Sequence, residues 1–370
     1  MRAWVLQGNG VETLTLEERP PPRPGPGQVR VRMRAASLNY RDLLVASGTY
    51  GSAAPRRPLV PLSDGAGEVV EVGDGVSGVR AGDRVVANFF QGWLDGPQTD
   101  ATNATALGGA VDGVLAEEVV FQAAAVVPVP AHLSFEEAAT LPCAALTAWV
   151  ALFERGKLAA SQTVLVQGTG GVSLCGLQLA KAAGARVILT SRSAAKLSRA
   201  VTLGADDTID TVRTPDWDAT ARALTGGEGV DHLLEVIGAA TLPRSIRAMK
   251  PGGHLTLVGL LSGARSDPAA ARAQAPGVNV SGVFVGSVRM FERMNAFLAR
   301  HAIRPVLDER FPFARARDAY AHLAAGNHFG KVVIGISRGP RPLHLSSRSR
   351  CPSSRARAAS RSAPRRRRPS

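Results

Sequence analysis

Thr163 to Ser193 reads TVLVQGTGGVSLCGLQLAKAAGARVILTSRS. An apolar run, Val164, Leu165 and Val166, meets Gly168, Gly170 and Gly171, after which Val172, Cys175, Leu179 and Ala183 recur at helical spacing. The pattern predicts strand, glycine turn and helix. Gly184 closes the helix and Val187, Ile188 and Leu189 give a second buried strand, so the segment is one βαβ crossover of about thirty residues. Glycines at such a turn let backbone N–H groups approach a pyrophosphate at the positive end of the helix dipole. Glycines also close ordinary turns, and Ser173 stands where the fingerprint prefers a third Gly or Ala, although Gly176 can support close helix packing. The flanking strand and helix favour a dinucleotide site.

The end of the second strand bears on which dinucleotide binds. An NAD site places an Asp or Glu about twenty residues past the glycines to grip the ribose 2′-OH, whereas a 2′-phosphate calls for cations. No carboxylate occurs between Glu154 and Asp206, and the strand runs into Ser191, Arg192, Ser193 and Lys196. These residues supply hydroxyls, a guanidinium and an ammonium, which suit NADPH; the bland alternative is a solvated surface loop.

The chain has 370 residues, room for two domains, and a 45% apolar share that can fill their cores. It opens without a basic-then-apolar leader and holds no apolar run of membrane-spanning length, so a cytoplasmic protein with no membrane partner is expected. Three cysteines, Cys143, Cys175 and Cys351, follow no CxxC spacing, which gives no disulfide framework or structural zinc motif. The net charge of +14 invites a nucleic-acid reading, but eleven of those charges are arginines between Arg338 and Ser370, leaving +3 for the rest. That Ser, Pro and Arg-rich tail (337–370) reads as disordered, and it is the only place where nucleic acid would find a basic arm.

Strict alternation of Val29, Val31 and Met33 with Arg30, Arg32 and Arg34, and turn-punctuated strands onward to Ala87, predict a compact antiparallel barrel. Gln91 to Asp112 has no period and reads as a loop or lid. Ser134, with Glu136 and Glu137 behind it, starts a helix running to Ala151 that Pro142 should break or kink. Helices over 196–204, 217–224 and 242–249 then alternate with strands, as a parallel sheet covered on both faces requires.

Several local motifs, SLNYRDLLVASGTY, PLVPLSDGAGEVVEVG, AGDRVV, LPCAALTAW, VLVQGTGGVS, KPGGHLTLVG and HFGKVVI, together resemble the medium-chain dehydrogenase/reductase superfamily, and within it the zinc-free, quinone-oxidoreductase-like branch. The likeness spans Met1 to about Ile336. It implies an α/β protein in which a GroES-like β-barrel catalytic domain (1–128, completed by 304–336) encloses a doubly wound Rossmann domain (129–303). It also implies cofactor contacts: Asn39, Tyr40 and Asp42 along the nicotinamide side, and Gly168, Thr169, Gly170, Gly171 and Val172 at the pyrophosphate. Ser191, Arg192 and Lys196 would take the adenosine phosphate, Ile237, Gly259 and Leu260 would face the cofactor from strand ends, Phe284 and Val285 would meet the carboxamide, and Lys331 would approach from the returning C-terminal segment. VNVSGVFVG, from Val278, resembles the edge strand through which the family forms homodimers.

The departures from the zinc-dependent branch bear on the chemistry. Its first Cys and its His positions fall on Asn39 and Ser63, only the last ligand survives as Cys143, and residues 1–131 hold no Cys or His. One thiol beside Asn39 and Asp64 is a poor ligand set, so no metal is expected. Without a Lewis acid, hydride addition to a conjugated C=C or quinone is favoured over alcohol chemistry, because its charge spreads over an enolate. Tyr50 is the candidate donor to the substrate carbonyl and Tyr40 the runner-up. An alcohol dehydrogenase and a non-catalytic NADPH-binding module are the competing functions.

Overall fold

In the computed structural model, residues 1–50, 58–258 and 277–337 are described; Gly259, Leu260 and the arginine-rich tail, with the expectations placed on them, lie outside the described residues. The chain's first strands, β1 (Arg2–Leu6) and β2 (Leu14–Glu18), form a two-stranded antiparallel sheet. Next come β3 (Gln28–Ser37), β4 (Asp64–Val72), β5 (Arg84–Ala87), β6 (Glu118–Gln122) and β7 (Val126–Pro128). With β14 (Leu307–Pro312) and β15 (Lys331–Gly335) these make a sheet in the order β14-β15-β3-β4-β5-β7, with β6 on the other part of β3. The alternation read in β3 is present: Val29, Val31 and Met33 are buried, while Arg30 reaches Glu118 at 2.6 Å on the opposite face. The N-terminal strands β3 to β7 pair antiparallel, as read, whereas β14 and β15, added from the C-terminal segment, pair in parallel through the helix Ala316–Ala325 that connects them.

Six parallel strands form the second sheet: β8 (Thr163–Gln167), β9 (Arg186–Ser191), β10 (Asp207–Asp210), β11 (Val230–Glu235), β12 (Met249–Leu257) and β13 (Asn279–Gly282). Their order is β10-β9-β8-β11-β12-β13, in which the chain starts at the centre, winds outward one way, returns and winds outward the other. Val164, Leu165 and Val166 have no exposed surface because β8 is covered on both faces, as an uninterrupted apolar run requires. The order reverses between β8 and β11, and a crevice at the carboxyl ends of those two strands is where such sheets hold ligands. β13 lies at the edge, bonded to β12.

The helix expected from Ser134 starts as read: Ser134 N donates to Glu137 at 2.7 Å and Glu137 N to Ser134 Oγ at 3.2 Å. The α-helix it opens, Phe135–Ala138, stops ahead of Pro142, which sits in the first turn of the next helical segment, where its missing N–H costs nothing; π-turns at Leu141–Ala145 and Val150–Arg155 then carry the path on to Arg155. Gln91 to Asp112 is largely irregular, with one short helix, Asp100–Asn103.

Candidate active site

The turn after β8 has the shape its glycines predict. Gly168 has φ +71°, a conformation that disfavours any side chain, and a Cβ placed on Gly168 or Gly170 would meet nothing within 4 Å. That open space lies before the first turn of the helix Gly171–Ala182 and fits a pyrophosphate against backbone N–H groups. Ser173 does not do the work of a third glycine; it is buried and donates from Oγ to Gln167 O at 2.6 Å. Gly176 does that work, since a Cβ there would come within 2.6 Å of Leu234 Cδ1 on β11.

Beneath the crevice lies a carboxylate that periodicity alone did not single out. Glu235, at the end of β11, is fully buried and accepts from Ile237 N, Gly238 N and Thr241 Oγ1, each at 2.9 Å, from Gln167 Nε2 at 3.0 Å, and from Ser245 Oγ. Five donors satisfy the charge, and they tie the ends of β8 and β11 together and set the backbone at Ile237. An acid directly after the apolar pair Leu233 and Leu234, at the end of a buried strand, was the available signal.

The returning segment closes the other side. Gly330 N donates to Thr169 O at 3.0 Å, which brings Lys331 against the glycine turn, and a Cβ on Gly171 would lie 2.6 Å from Lys331 Cδ. Lys331 is 3% exposed. Its Nζ donates to Leu38 O at 2.7 Å and Asn39 Oδ1 at 2.5 Å and stands 3.7 Å from Asp64 Oδ2. Asp64, also buried, accepts from Ser63 Oγ at 2.7 Å and Cys143 N at 3.2 Å. Burial and the neighbouring Asp64 push the Cys143 thiol well above its ordinary range. Asn39 precedes the helix Tyr40–Ser47, where its N donates to Asp42 Oδ2 at 2.8 Å, and its buried Nδ2 has no hydrogen-bond partner among the described residues, so its two N–H groups are left for a ligand. Burial pushes Asp42 up to about 6 against the pull of Arg41.

An aromatic wall faces this cluster. Phe284 is 43% exposed and packs on Phe89 and Phe90 at centroid distances of 6.0 and 5.5 Å. Val285 holds φ +57°, a strained value for a β-branched residue, and Asn88 Nδ2 reaches Gly286 O at 3.4 Å. Arg41, within the 39–43 turn expected along the nicotinamide side but given no role of its own there, lies between the Phe89 ring at 4.7 Å and the Tyr50 ring at 4.8 Å. Tyr50 is half-buried, and that burial raises its pKa against the opposing effect of Arg41. Tyr40 is 41% exposed on the first turn of its helix.

At the end of β9, Ser191 Oγ accepts from Ser193 N at 3.2 Å, and Ser193 caps the helix Ala194–Thr202. Arg192 is exposed and pairs with no carboxylate among the described residues. Lys196 is engaged: its Nζ donates to Gly326 O at 3.2 Å and His328 O at 3.0 Å, and burial lowers its pKa. The structure therefore gathers Asn39, Lys331, the glycine turn and Glu235 around one crevice, leaves Arg192 open at the end of β9, and holds Lys196 against the C-terminal segment.

Family models for an alcohol dehydrogenase GroES-like domain and a zinc-binding dehydrogenase match residues 25–131 and 171–300. A zinc-type alcohol dehydrogenase-like protein of Schizosaccharomyces pombe is 44% identical over 309 residues, covering 82% of this chain and 89% of its own. The chain belongs to the medium-chain dehydrogenase/reductase family. Its fold is accordingly a GroES-like domain joined to a Rossmann-like parallel sheet. A putative alcohol dehydrogenase from Sinorhizobium meliloti superposes with a TM-score of 0.84 at 44% identity, over 90% of this chain and 98% of that one. The 2-methylene-furan-3-one reductase of Solanum lycopersicum is 30% identical over 303 residues, 81% of this chain and 69% of that protein. The family makes the chain an oxidoreductase of pyridine-nucleotide type.

Proposed function

We propose that the protein is a metal-independent, NADPH-dependent reductase of conjugated C=C bonds or quinones. The observation that carries this reading is the Lys331 ammonium seated among Leu38 O, Asn39 Oδ1 and Asp64. A cation of the protein's own occupies the oxygen-lined position beside Cys143, and a metal drawn in next to it would meet like charge at close range. The thiol would also have to ionise to act as a ligand, against the burial that keeps it protonated. These residues do not fit a catalytic metal. They do fit a nicotinamide cofactor, through the open glycine cradle and the Asn39 Nδ2 that no described residue engages.

When bound, NADPH supplies a hydride for the β-carbon of an enone, enal or quinone. The chain's residues do the rest. The glycine turn holds the pyrophosphate, Arg192 meets the 2′-phosphate, and the Tyr50 hydroxyl hydrogen-bonds the carbonyl oxygen on which the enolate charge gathers. The tomato relative's name describes a substrate with a C=C conjugated to a ketone, which supports this class. The test is NADPH oxidation by purified protein with quinones, enals, enones, enoyl thioesters and simple aldehydes, with and without chelator. Turnover of conjugated acceptors that survives chelation is expected, and Tyr50→Phe should lower it about 10² to 10⁴-fold with cofactor affinity unchanged. Activity confined to simple aldehydes or abolished by chelation would overturn the reading.

A further inference from the structure

Arg41 is 7% exposed, and a guanidinium can be buried there only if its donors find acceptors. Nη1 donates to Leu107 O at 3.1 Å and lies 3.3 Å from Asp42 Oδ1, while Nη2 reaches Gly108 O at 3.5 Å. Its two faces are covered by Tyr50 and Phe89. Its charge therefore stands beside the phenol, 4.8 Å from the ring centroid. The 107–109 segment, part of the loop read as a candidate lid, passes over the guanidinium only because residue 109 is Gly, since a Cβ there would lie 2.5 Å from Arg41 Nη2.

We propose that Arg41 is the positioning residue of the site: one guanidinium packs against the Tyr50 ring and holds the Leu107 and Gly108 carbonyls, so that the phenol and the loop are set together beside the substrate. The proposal rests on the reading of Tyr50 as substrate donor, but its test does not depend on turnover. Among the described residues, the charged and titratable groups around Tyr50 are Arg41, Cys143 and Asp42, of which only Arg41 favours the phenolate.

The chain has three tyrosines, so fluorotyrosine labelling gives three fluorine resonances, and Tyr50→Phe identifies one of them. In Arg41→Met the Tyr50 resonance should titrate at a pH at least one unit higher than in the otherwise unsubstituted protein. In Arg41→Lys, which keeps the charge and loses the planar fork, the shift should be smaller. On an active substrate, kcat of Arg41→Met should fall tenfold or more, and adding Arg41→Met to Tyr50→Phe should lower it no further. A Tyr50 titration that does not move in either variant overturns the proposal. If only Arg41→Lys folds, a moved Tyr50 titration supports the proposal and one coincident with the parent sinks it. A protein that reduces no conjugated acceptor yet shows the shift refutes the functional reading and leaves Arg41 as positioning residue of Tyr50.

Discussion

Gly170→Ala separates cofactor binding from folding at one methyl group. The residue sits at φ −79° and ψ −177°, which any L-residue adopts, and its added Cβ would meet no protein atom within 4 Å. Lowering the freedom of the unfolded chain at such a compatible site is worth about 0.4–1 kcal/mol, so thermal stability should hold or rise slightly. The same methyl stands in the space where backbone N–H groups would meet the pyrophosphate. Losing one charge-assisted contact of that kind costs about 1.5–3 kcal/mol, a rise of roughly 10 to 150-fold in the NADPH dissociation constant. Gly168→Ala is the contrasting control, since its φ of +71° makes a side chain strained and should cost about 1–2 kcal/mol of stability. Calorimetric titration with NADPH and thermal unfolding of both variants read the two effects separately. If Gly170→Ala bound NADPH like the parent protein, the assignment of this cradle to the pyrophosphate would be wrong.

Arg192→Ala should raise the NADPH dissociation constant at least tenfold and leave NADH nearly unchanged, because Arg192 is an exposed cation at the end of β9 with no carboxylate partner among the described residues; equal losses for both cofactors would refute its contact with the 2′-phosphate. His232 is 4% exposed, and burial pushes its pKa down to about 4 against the pull of Asp231. The unfolded chain therefore binds more protons than the native one between pH 6.5, its ordinary value, and about 4, so the stability this neutral histidine allows is present above that window and lost as pH falls through it. The loss approaches about 3 kcal/mol. Urea titrations at pH 7 and 4.5 should show a smaller drop in His232→Gln than in the parent, and identical drops would refute the assignment.

The residues that specify the Rossmann sheet lie close together in sequence, which is why the fold could be read from it. Val164 to Val166, the glycines and the helical spacing of Val172 to Leu179 all act within one crossover, and the turn and helix formed where they pointed. The capping pair Ser134 and Glu137 is local in the same way. Pro142 is local as well, since the α-helix opened by Ser134 stops at Ala138, but the π-turns that carry the chain on to Arg155 are a response no single residue announces. The site was less legible for a related reason. Lys331 reaches Asn39 across 292 positions and Arg41 reaches Leu107 across 66, and contacts that distant leave no periodic trace. Family resemblance named Lys331 and Tyr50. It did not name the guanidinium between Tyr50 and Phe89, or the five donors on Glu235, which only the packed structure brings together.

Hydride delivery to a conjugated carbon without a metal is read out by where a transferred isotope lands. Purified, chelator-treated protein is given NADPH carrying deuterium at the transferring C4 position and an enone that turns over, and the product is analysed by NMR. The expected product is a saturated ketone with deuterium on the β-carbon and protium from solvent on the α-carbon. Deuterium on the carbonyl carbon of an allylic alcohol, or transfer that appears only when a divalent metal is restored, would contradict it.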